Sequence, residues 1–542
     1  MINKKIAHSK PKGGEGYEEA DCLFPVAEEI PVSADASVER QRSRILTSPS
    51  QRSLRSPRKE GKPIRRWLLY DKKPPLFHQE KGTEMDNQFI SLADGYTIRG
   101  SESEQVLLNL RNGARYDLTR EQFDLLTQLS GQNTFQAITS QYDQESQQVI
   151  RDFLANLQTI GALRFTTDKT FRELPQEVVP DIWLEAVHLE NSSRCNLRCA
   201  HCYQGDRYPV AGSLTFDEVK TAADSMKVIQ VQGISVSGGE PFCQADIFDI
   251  VHLFEEREIR IISFFTNGIL LDQPMIEKIL GLRSQPTMFV SLDAITPEGM
   301  IFRGLNKSAG KAALKRILAN IEMLKANGLR VVVNTVMNTH NIGVLKNMYN
   351  VIRGLQVSSW RIGYPKQTGF FRESRNQFGL SWGTMAQASF ALLQHHFRQG
   401  RPFHLQMEYL YREELFKDFQ PLSDEAFVCD YERKRQSCCL KPNGDIVSCA
   451  YCTDFPVGNI RRQSLPEIWY STEMQSVKEV KIGDVKGCQG CELRSYCATG
   501  CRVNAYFLNG DFYHAKDDYA CQAVRFFVET VMPFLKAEGV LN

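Results

Sequence analysis

Cys195, Cys199 and Cys202 stand at Cys-x3-Cys-x2-Cys spacing inside one short stretch, Asn191 to Tyr203. Three thiolates on a single loop can each take one iron of a [4Fe–4S] cube. A fourth cysteine at matching spacing is absent from that stretch, so one iron is left open to a chelating ligand from outside. A structural zinc site closes with four ligands. His201 lies between two of the cysteines and is badly placed to turn onto the same metal. Of the 15 cysteines, ten more lie between Cys429 and Cys521, and 185 cysteine-free residues separate Cys243 from Cys429. The pattern describes two metal-binding regions joined by an ordinary core, with Cys243 read as a small buried hydrophobe.

The composition agrees with a reducing compartment and a folded enzyme-sized chain. The 542 residues are 42% hydrophobic and 24% charged, which suffices for several packed domains. A net charge of +1 argues against a protein that coats nucleic acid or an anionic membrane. No run of 18 apolar residues is present, which excludes a transmembrane helix from the reading. The N-terminus has no apolar signal core, so the expectation is a cytoplasmic protein with cysteines on metal rather than in disulfides.

The elements that would position these groups are legible as a series. Residues 1–84 lack apolar periodicity and segregate their charge. Eight acids face four Lys/Arg over 1–39, and twelve Lys/Arg face two acids over 40–73. That composition describes a solvated extension, or an upstream stretch preceding a start at Met85. Over 86–166, Val106–Leu110 and Ala114–Leu118 read as strands joined by an Asn112-Gly113 turn. Helices are expected at 120–129, 134–142 and 145–160, the last ended by Gly161, with a short strand at 162–165. A hairpin on three helices is a winged-helix arrangement. From 180 to 400, strands at 184–189, 233–237, 260–266, 287–292, 330–336 and 358–362 alternate with helical stretches. Strand–helix units of this length imply parallel strands with right-handed crossovers. Six units suit an open, partial barrel whose active face lies at the C-terminal strand ends. Residues 401–542 are poor in long periodic elements and rich in cysteine, so metal rather than a large core should hold them.

The cysteine loop, with Tyr203 after it, resembles the signature of radical S-adenosylmethionine (SAM) enzymes. Ser237-Gly238-Gly239-Glu240-Pro241 after the second strand resembles that family's GGEP motif. Thr266-Asn267-Gly268 ends the third strand, Ser291-Leu292-Asp293 the fourth, Phe302-Arg303-Gly304 follows, and Asn334 sits in the fifth. The resemblance implies that Ser237, Gly238, Gly239, Glu240, Asn267, Ser291 and Arg303 hold S-adenosylmethionine on the open iron. Glu240 and its backbone would receive the methionine ammonium, and Ser291 and Arg303 the ribose and carboxylate. Reductive cleavage of the cofactor would then yield methionine and a 5′-deoxyadenosyl radical that takes hydrogen from an unactivated carbon. A multi-cluster electron carrier has no reason to leave one iron three-coordinate beside such a loop.

The second group reads Cys429-x14-Gly444-x4-Cys449, then Cys488-x2-Cys491-x5-Cys497-x3-Cys501, then Cys521. All seven cysteines resemble the SPASM domain. That likeness implies two auxiliary Fe–S clusters, one on Cys429, Cys449 and Cys501, the other on Cys488, Cys491, Cys497 and Cys521. Cys438, Cys439 and Cys452 are candidates for a further ligand. Cys438 and Cys439 are expected in a strand, where only one of them can face the cluster.

Residues 86–166 resemble the PqqD-like peptide-recognition element, in which a leader peptide adds as a strand to the hairpin edge, here expected around Val106–Leu110, and packs on the third helix. The combination implies an α/β chain: a partial (βα)6 barrel, an N-terminal winged-helix-like domain and a C-terminal cluster domain. It implies maturation of a ribosomally made peptide by a thioether, a carbon–carbon or carbon–oxygen crosslink, or epimerisation. The partners would be a precursor peptide with leader and core, and an electron donor such as flavodoxin or ferredoxin. Neither membrane nor nucleic acid is expected. Maturation of a whole protein, as by sulfatase maturases, is the alternative. It is disfavoured because Ala450 stands where those enzymes carry a proton-accepting Asp. A DNA-binding redox regulator is more remote, since acids over 86–166 are at least as many as Lys and Arg. Tyr203, Tyr451, Asp445 and Asp454 are polar groups near ligands, and none is assigned as acid or base.

Overall fold

The computed structural model describes residues 86–207, 212–412, 423–428, 436–497 and 500–541. Cys429 and the extension expected over 1–84 lie outside them.

Residues 86–166 contain strands β1 (Phe89–Leu92), β2 (Tyr96–Gly100), β3 (Gln105–Asn109), β4 (Arg115–Leu118), β5 (Ser130–Thr134) and β6 (Leu163–Thr166), with helices Arg120–Leu126, Phe135–Thr139 and Gln144–Thr159. The helices start where the sequence caps them. Thr119 forms a capping box with Gln122, and Asp143 accepts from the Ser146 amide. Ile150, Leu154 and Leu157 of the long helix pack on Phe123, Phe135, Ile98 and Leu107.

The expected β3–β4 hairpin is present, but it is part of a three-stranded sheet in the order β2-β3-β4. A second sheet, β5-β1-β6, stands beside it. β3 is therefore a central strand, and Val106–Leu110 is not an open edge as expected; among the described residues β4 is an edge strand. β2 escaped the sequence reading because its polar residues Thr97 and Arg99 are buried against another part of the chain rather than facing water.

The larger sheet contains β7 (Ala186–Leu189), β8 (Gly233–Val236), β9 (Arg260–Thr266), β10 (Thr287–Ser291), β11 (Val331–Val336), β12 (Ser359–Gly363), β13 (His404–Met407), β14 (Tyr411–Arg412), β15 (Ser437–Leu440), β16 (Asp445–Val447) and β17 (Pro456–Asn459). Its order is β14-β13-β12-β11-β10-β9-β8-β7-β15-β16-β17. The six expected strands are β7 to β12. The parallel series is longer than expected: β13 pairs parallel with β12, and β15 pairs parallel with β7. β13 is short and lies beyond residue 400. β15 was legible as a strand, but its partner lies some 250 residues earlier and no local pattern reveals it. Leu465, Ile468, Trp469, Phe527 and Leu535 of the C-terminal region join the same hydrophobic core as the barrel helices. No helix among the described residues is long and apolar enough to cross a membrane.

The N-terminal sheets dock at the N-terminal ends of the barrel strands. Glu258 and Arg260, where β9 begins, are the centre of this contact. Glu258 accepts from Thr97 Oγ1 at 2.7 Å and pairs with Arg172 at 2.6 Å and Arg99 at 3.5 Å. Arg260 Nε donates to the Leu110 carbonyl at 3.1 Å, and the Gln285 amide donates to the Arg111 carbonyl at 2.7 Å. Gly113 adopts φ +75°, a left-handed turn conformation that favours glycine, and packs beside the Arg260 guanidinium. Val106, Val179 and Trp183 form a small apolar cluster in the seam.

Candidate active site

The cysteine loop leaves the C-terminal end of β7, on the face opposite the docked domain. Its shape is held by backbone crowding. A Cβ on Gly238 would lie 2.4 Å from the Ser192 carbonyl oxygen, on Gly239 2.1 Å from that of Arg194, on Gly304 2.4 Å from that of Arg198, and on Gly369 2.1 Å from that of Cys202. The amides of Gly239 and Glu240 donate to the Ser192 and Arg194 carbonyls, each at 2.8 Å. The two glycines of the GGEP stretch thus approach the cysteine loop itself.

Glu240 is buried and braces two strand ends. Its carboxylate accepts from Thr266 Oγ1 and from the Asn267 amide, both at 2.7 Å. Burial raises this carboxyl to about 7. Asn267 Nδ2 reaches back to Asn196 Oδ1 at 2.7 Å, tying the third strand end to the cysteine loop. Ser237 follows β8, its amide bonded to the Leu189 carbonyl at 2.9 Å. Ser291 ends β10, in register with Asn334 of β11.

Arg303 is buried beside the cysteines. Its Nη1 lies 2.8 Å from Asp293 Oδ2, and its Nε has no hydrogen-bond partner among the described residues. Asp293 is itself held by the Val336 amide at 2.7 Å. His201 stacks on Phe302 with ring centroids 4.2 Å apart, and burial lowers it to about 4, so it stays neutral.

The residues fit an iron–sulfur cluster and its cofactor. Burial raises the Cys195 and Cys199 thiols to about 12, so they ionise only when a metal replaces the proton. The Arg303 guanidinium pulls both thiols back down, and the Leu197 amide lies 3.4 Å from Cys195 Sγ as a donor. The buried, unpartnered Arg303 Nε is the donor a bound carboxylate would satisfy. Cys243 is half-buried and close enough to Cys195 to raise its thiol.

The second cysteine group divides between two clusters of side chains. Cys439, Cys452 and partly buried Cys501 pack together with Val503 and Phe512, whereas Cys438 faces the barrel core. The strand alternation expected for the pair therefore points Cys439 at the auxiliary lobe. The Cys452 amide donates to the Cys449 carbonyl at 2.8 Å. Cys488 and Cys491 share a turn closed by a 3.0 Å amide–carbonyl bond, and Cys521 lies near enough to Cys488 for burial and that thiol together to raise it. Cys497 ends the short helix Arg494–Cys497. Buried Asp517 links the lobes: Oδ2 accepts from the Cys501 amide at 2.9 Å and from Tyr409 Oη at 3.2 Å, and its carbonyl accepts from the Cys521 amide at 3.0 Å. Among the described residues no three His, Cys, Asp or Glu side chains converge on a single-ion site. A cube spreads its thiolates over separate irons and does not require such convergence.

Asp293, Asp517, Glu190 and Lys441 escaped the sequence reading as site residues. Asp293 and Glu190 carried a usable signal, an acid directly after a barrel strand. Of the other polar groups singled out, Asp454 pairs with Arg207 at 3.0 Å, and Asp445 accepts from Asn459 Nδ2 at 2.8 Å.

A cavity of about 170 Å3 opens between the ends of β12 and β13 and the auxiliary lobe. Tyr364, Phe371, Met385, Tyr409, Asn504 and Tyr519 line it. Asn504 is buried, its Oδ1 without a hydrogen-bond partner among the described residues, and Tyr409 sits in the left-handed region at φ +63°. The segment that walls the cavity also touches the cysteine loop, through the Phe370 amide bonded to the Cys202 carbonyl at 3.0 Å.

Comparison with known proteins agrees with this geometry. Residues 190–351 match the Radical SAM superfamily, and residues 429–492 match SPASM, an iron-sulfur cluster-binding domain. The AdoMet-dependent heme synthase of Methanosarcina barkeri is 28% identical over 348 residues, 60% of this chain and 92% of that one. The antilisterial bacteriocin subtilosin biosynthesis protein AlbA of Bacillus subtilis is 24% identical over 430 residues, 74% of this chain and 87% of that one. In fold, Streptococcus suis SuiB bound to its precursor peptide SuiA superposes with a TM-score of 0.59 at 15% identity, covering 80% of this chain and 99% of SuiB. The chain carries a radical SAM domain, with a [4Fe–4S] cluster and S-adenosylmethionine as its cofactors, and a SPASM domain for auxiliary clusters.

Proposed function

We propose that this S-adenosylmethionine-dependent enzyme modifies a ribosomally made precursor peptide, held by its leader on residues 86–166 and modified at the barrel mouth. The observation that carries the reading is the edge of β4, which pairs with no further strand among the described residues, on the N-terminal domain anchored to the barrel by Glu258 and Arg260. The Asn109 amide bonds to the Ala114 carbonyl at 2.9 Å, which sets the alternation of the ladder. Tyr116 and Leu118 then point their backbone groups at β3, and Arg115 and Asp117 point theirs outward. An extended leader would add there as a fourth strand. AlbA, SuiB with its bound precursor, and the PqqA peptide cyclase of Gluconobacter oxydans, 22% identical over 341 residues, support a peptide substrate.

Cys195, Cys199 and Cys202 would hold the cluster, which when bound would supply the electron for reductive cleavage of S-adenosylmethionine to methionine and a 5′-deoxyadenosyl radical. The chain's residues bind and orient. Arg303 and Ser291 hold the cofactor's carboxylate and ribose, and the Gly238–Glu240 turn its ammonium. Cys429, Cys449 and Cys501, with Cys488, Cys491, Cys497 and Cys521, hold the auxiliary clusters, fed by a reduced flavodoxin or ferredoxin. The cavity beside Tyr409 and Asn504 admits one side chain of the core peptide.

The test is anaerobic turnover with S-adenosylmethionine, a low-potential reductant and the precursor peptides encoded beside this gene. We expect 5′-deoxyadenosine together with loss of two hydrogens for a crosslink, or uptake of one solvent deuterium for epimerisation. Turnover only with a porphyrin, or only with a folded sulfatase, would overturn the reading.

A further inference from the structure

Glu190 and Lys441 form an ion pair with no solvent exposure on either side chain. Lys441 Nζ lies 2.9 Å from Glu190 Oε2 and 2.7 Å from the Ala450 carbonyl, and 5.1 Å from the centre of the Tyr203 ring. Glu190 also accepts from Tyr203 Oη at 2.5 Å and from Gln204 Nε2 at 2.7 Å, and His188 Nε2 stands 3.7 Å away. The two residues are the next step in the parallel ladder after Leu189 and Leu440, whose register is direct. Each therefore sits where a strand hands over to a cysteine loop. Glu190 grips the residues that follow Cys202, and Lys441 grips the residue that follows Cys449.

Burying two charges is expensive. An apolar pair of similar volume would commonly hold two strands together as well or better. Stability alone does not account for a full positive and a full negative charge here. We propose that Glu190 and Lys441 are positioning residues that couple the S-adenosylmethionine cluster to the auxiliary lobe electrostatically, the anion biasing the centre held through Cys202 and the cation the centre held through Cys449. In a region from which water is excluded, a single charge acts over the distance between neighbouring loops with little screening. A cation stabilises the reduced, more negative state of a nearby centre, and an anion opposes it.

The inference rests on the ligand assignments of Cys202 and Cys449 and is independent of the peptide substrate. The full chain is reconstituted anaerobically as wild type, Lys441→Met, Glu190→Gln, the double variant and Lys441→Arg. Iron per chain is measured first, and midpoint potentials are then read by electron paramagnetic resonance during redox titration. We expect unchanged iron, a downward shift of the auxiliary centre in Lys441→Met, an upward shift of the S-adenosylmethionine centre in Glu190→Gln, both shifts together, each at its own centre, in the double variant, and wild-type values in Lys441→Arg. Where Lys441→Met fails to fold, Lys441→Gln keeps a donor to Glu190 and Ala450 while removing the charge, and the same downward shift is required of it. Wild-type potentials in both single variants at full iron, or shifts of the same sign, would reduce the pair to a structural tie and overturn the proposal.

Discussion

Arg303 and Asp293 form a buried pair, Nη1 to Oδ2 at 2.8 Å, that holds the guanidinium beside the cysteine loop and leaves its Nε without a partner among the described residues. Asp293 cannot swing away, because the β11 backbone holds its other oxygen through the Val336 amide. The fork geometry of arginine matters here, since a lysine would offer a point charge in place of two directed donors. Replacing Arg303 by Lys should weaken S-adenosylmethionine binding by about tenfold or more, a loss typical of a charge-assisted hydrogen bond. Anaerobic equilibrium dialysis on the reconstituted enzyme measures it, and unchanged affinity at full iron content would remove Arg303 from the cofactor site.

Cluster stoichiometry follows from the two cysteine groups. Full reconstitution should give about eight to twelve irons per chain. Changing Cys195, Cys199 and Cys202 together to Ala should remove about four of them and abolish 5′-deoxyadenosine, while auxiliary absorbance remains. Iron and sulfide analysis with product chromatography reads both. A wild-type content near four would eliminate the auxiliary clusters.

The open edge of β4 is addressed by Asp117→Pro. The outward amide of Asp117 takes no part in the β3 ladder, and proline is tolerated on an edge strand. Peptide binding should fall by about tenfold through the lost backbone hydrogen bond and the steric block, with the melting temperature nearly unchanged. Fluorescence anisotropy with a labelled precursor measures the first and scanning fluorimetry the second. Deleting residues 86–166 is a harsher experiment, because it removes Val106 from Trp183, Thr97 and Arg99 from Glu258, and the Leu110 carbonyl from Arg260. We expect lowered stability along with lost peptide modification, but retained cofactor cleavage.

His396 predicts a pH dependence remote from the cysteines. It is buried on the helix Trp382–Arg398, its Nδ1 3.1 Å from Tyr349 Oη, and burial lowers it to about 4. The unfolded chain binds a proton near the usual histidine value of about 6.5, and the folded chain does not. Between those values the unfolded state holds more protons, so stability rises with pH and is lost as pH falls from about 6.5 toward 4. His396→Asn keeps an acceptor for Tyr349 and should flatten that slope. Denaturant titrations at several pH values test it, and parallel slopes in both proteins would refute the assignment.

The sequence reading singled out the cysteine loop, the GGEP turn, Asn267, Ser291 and Arg303, and the structure places each at or in the segment that follows a barrel strand's C-terminal end. Parallel strands with right-handed crossovers deliver all those ends to one face, so local order along the chain becomes proximity in space. The same logic located β7 to β12 and the β3–β4 hairpin from their apolar runs.

What the tertiary structure alone decided are pairings between distant segments. The Asn112-Gly113 turn specifies a hairpin, but whether β3 or β4 is its free edge depends on β2, whose polar residues are satisfied by Glu258 on the barrel. Alternation says that Cys438 and Cys439 face opposite ways, and only the pairing of β15 with β7 says which of them meets Cys452. Glu190 and Lys441 are 251 residues apart, and each reads as an ordinary surface charge until that pairing buries both. Spacing records what neighbours along the chain can do together. Burial and partner choice arise only when the sheet closes, because they depend on which side chains then exclude water.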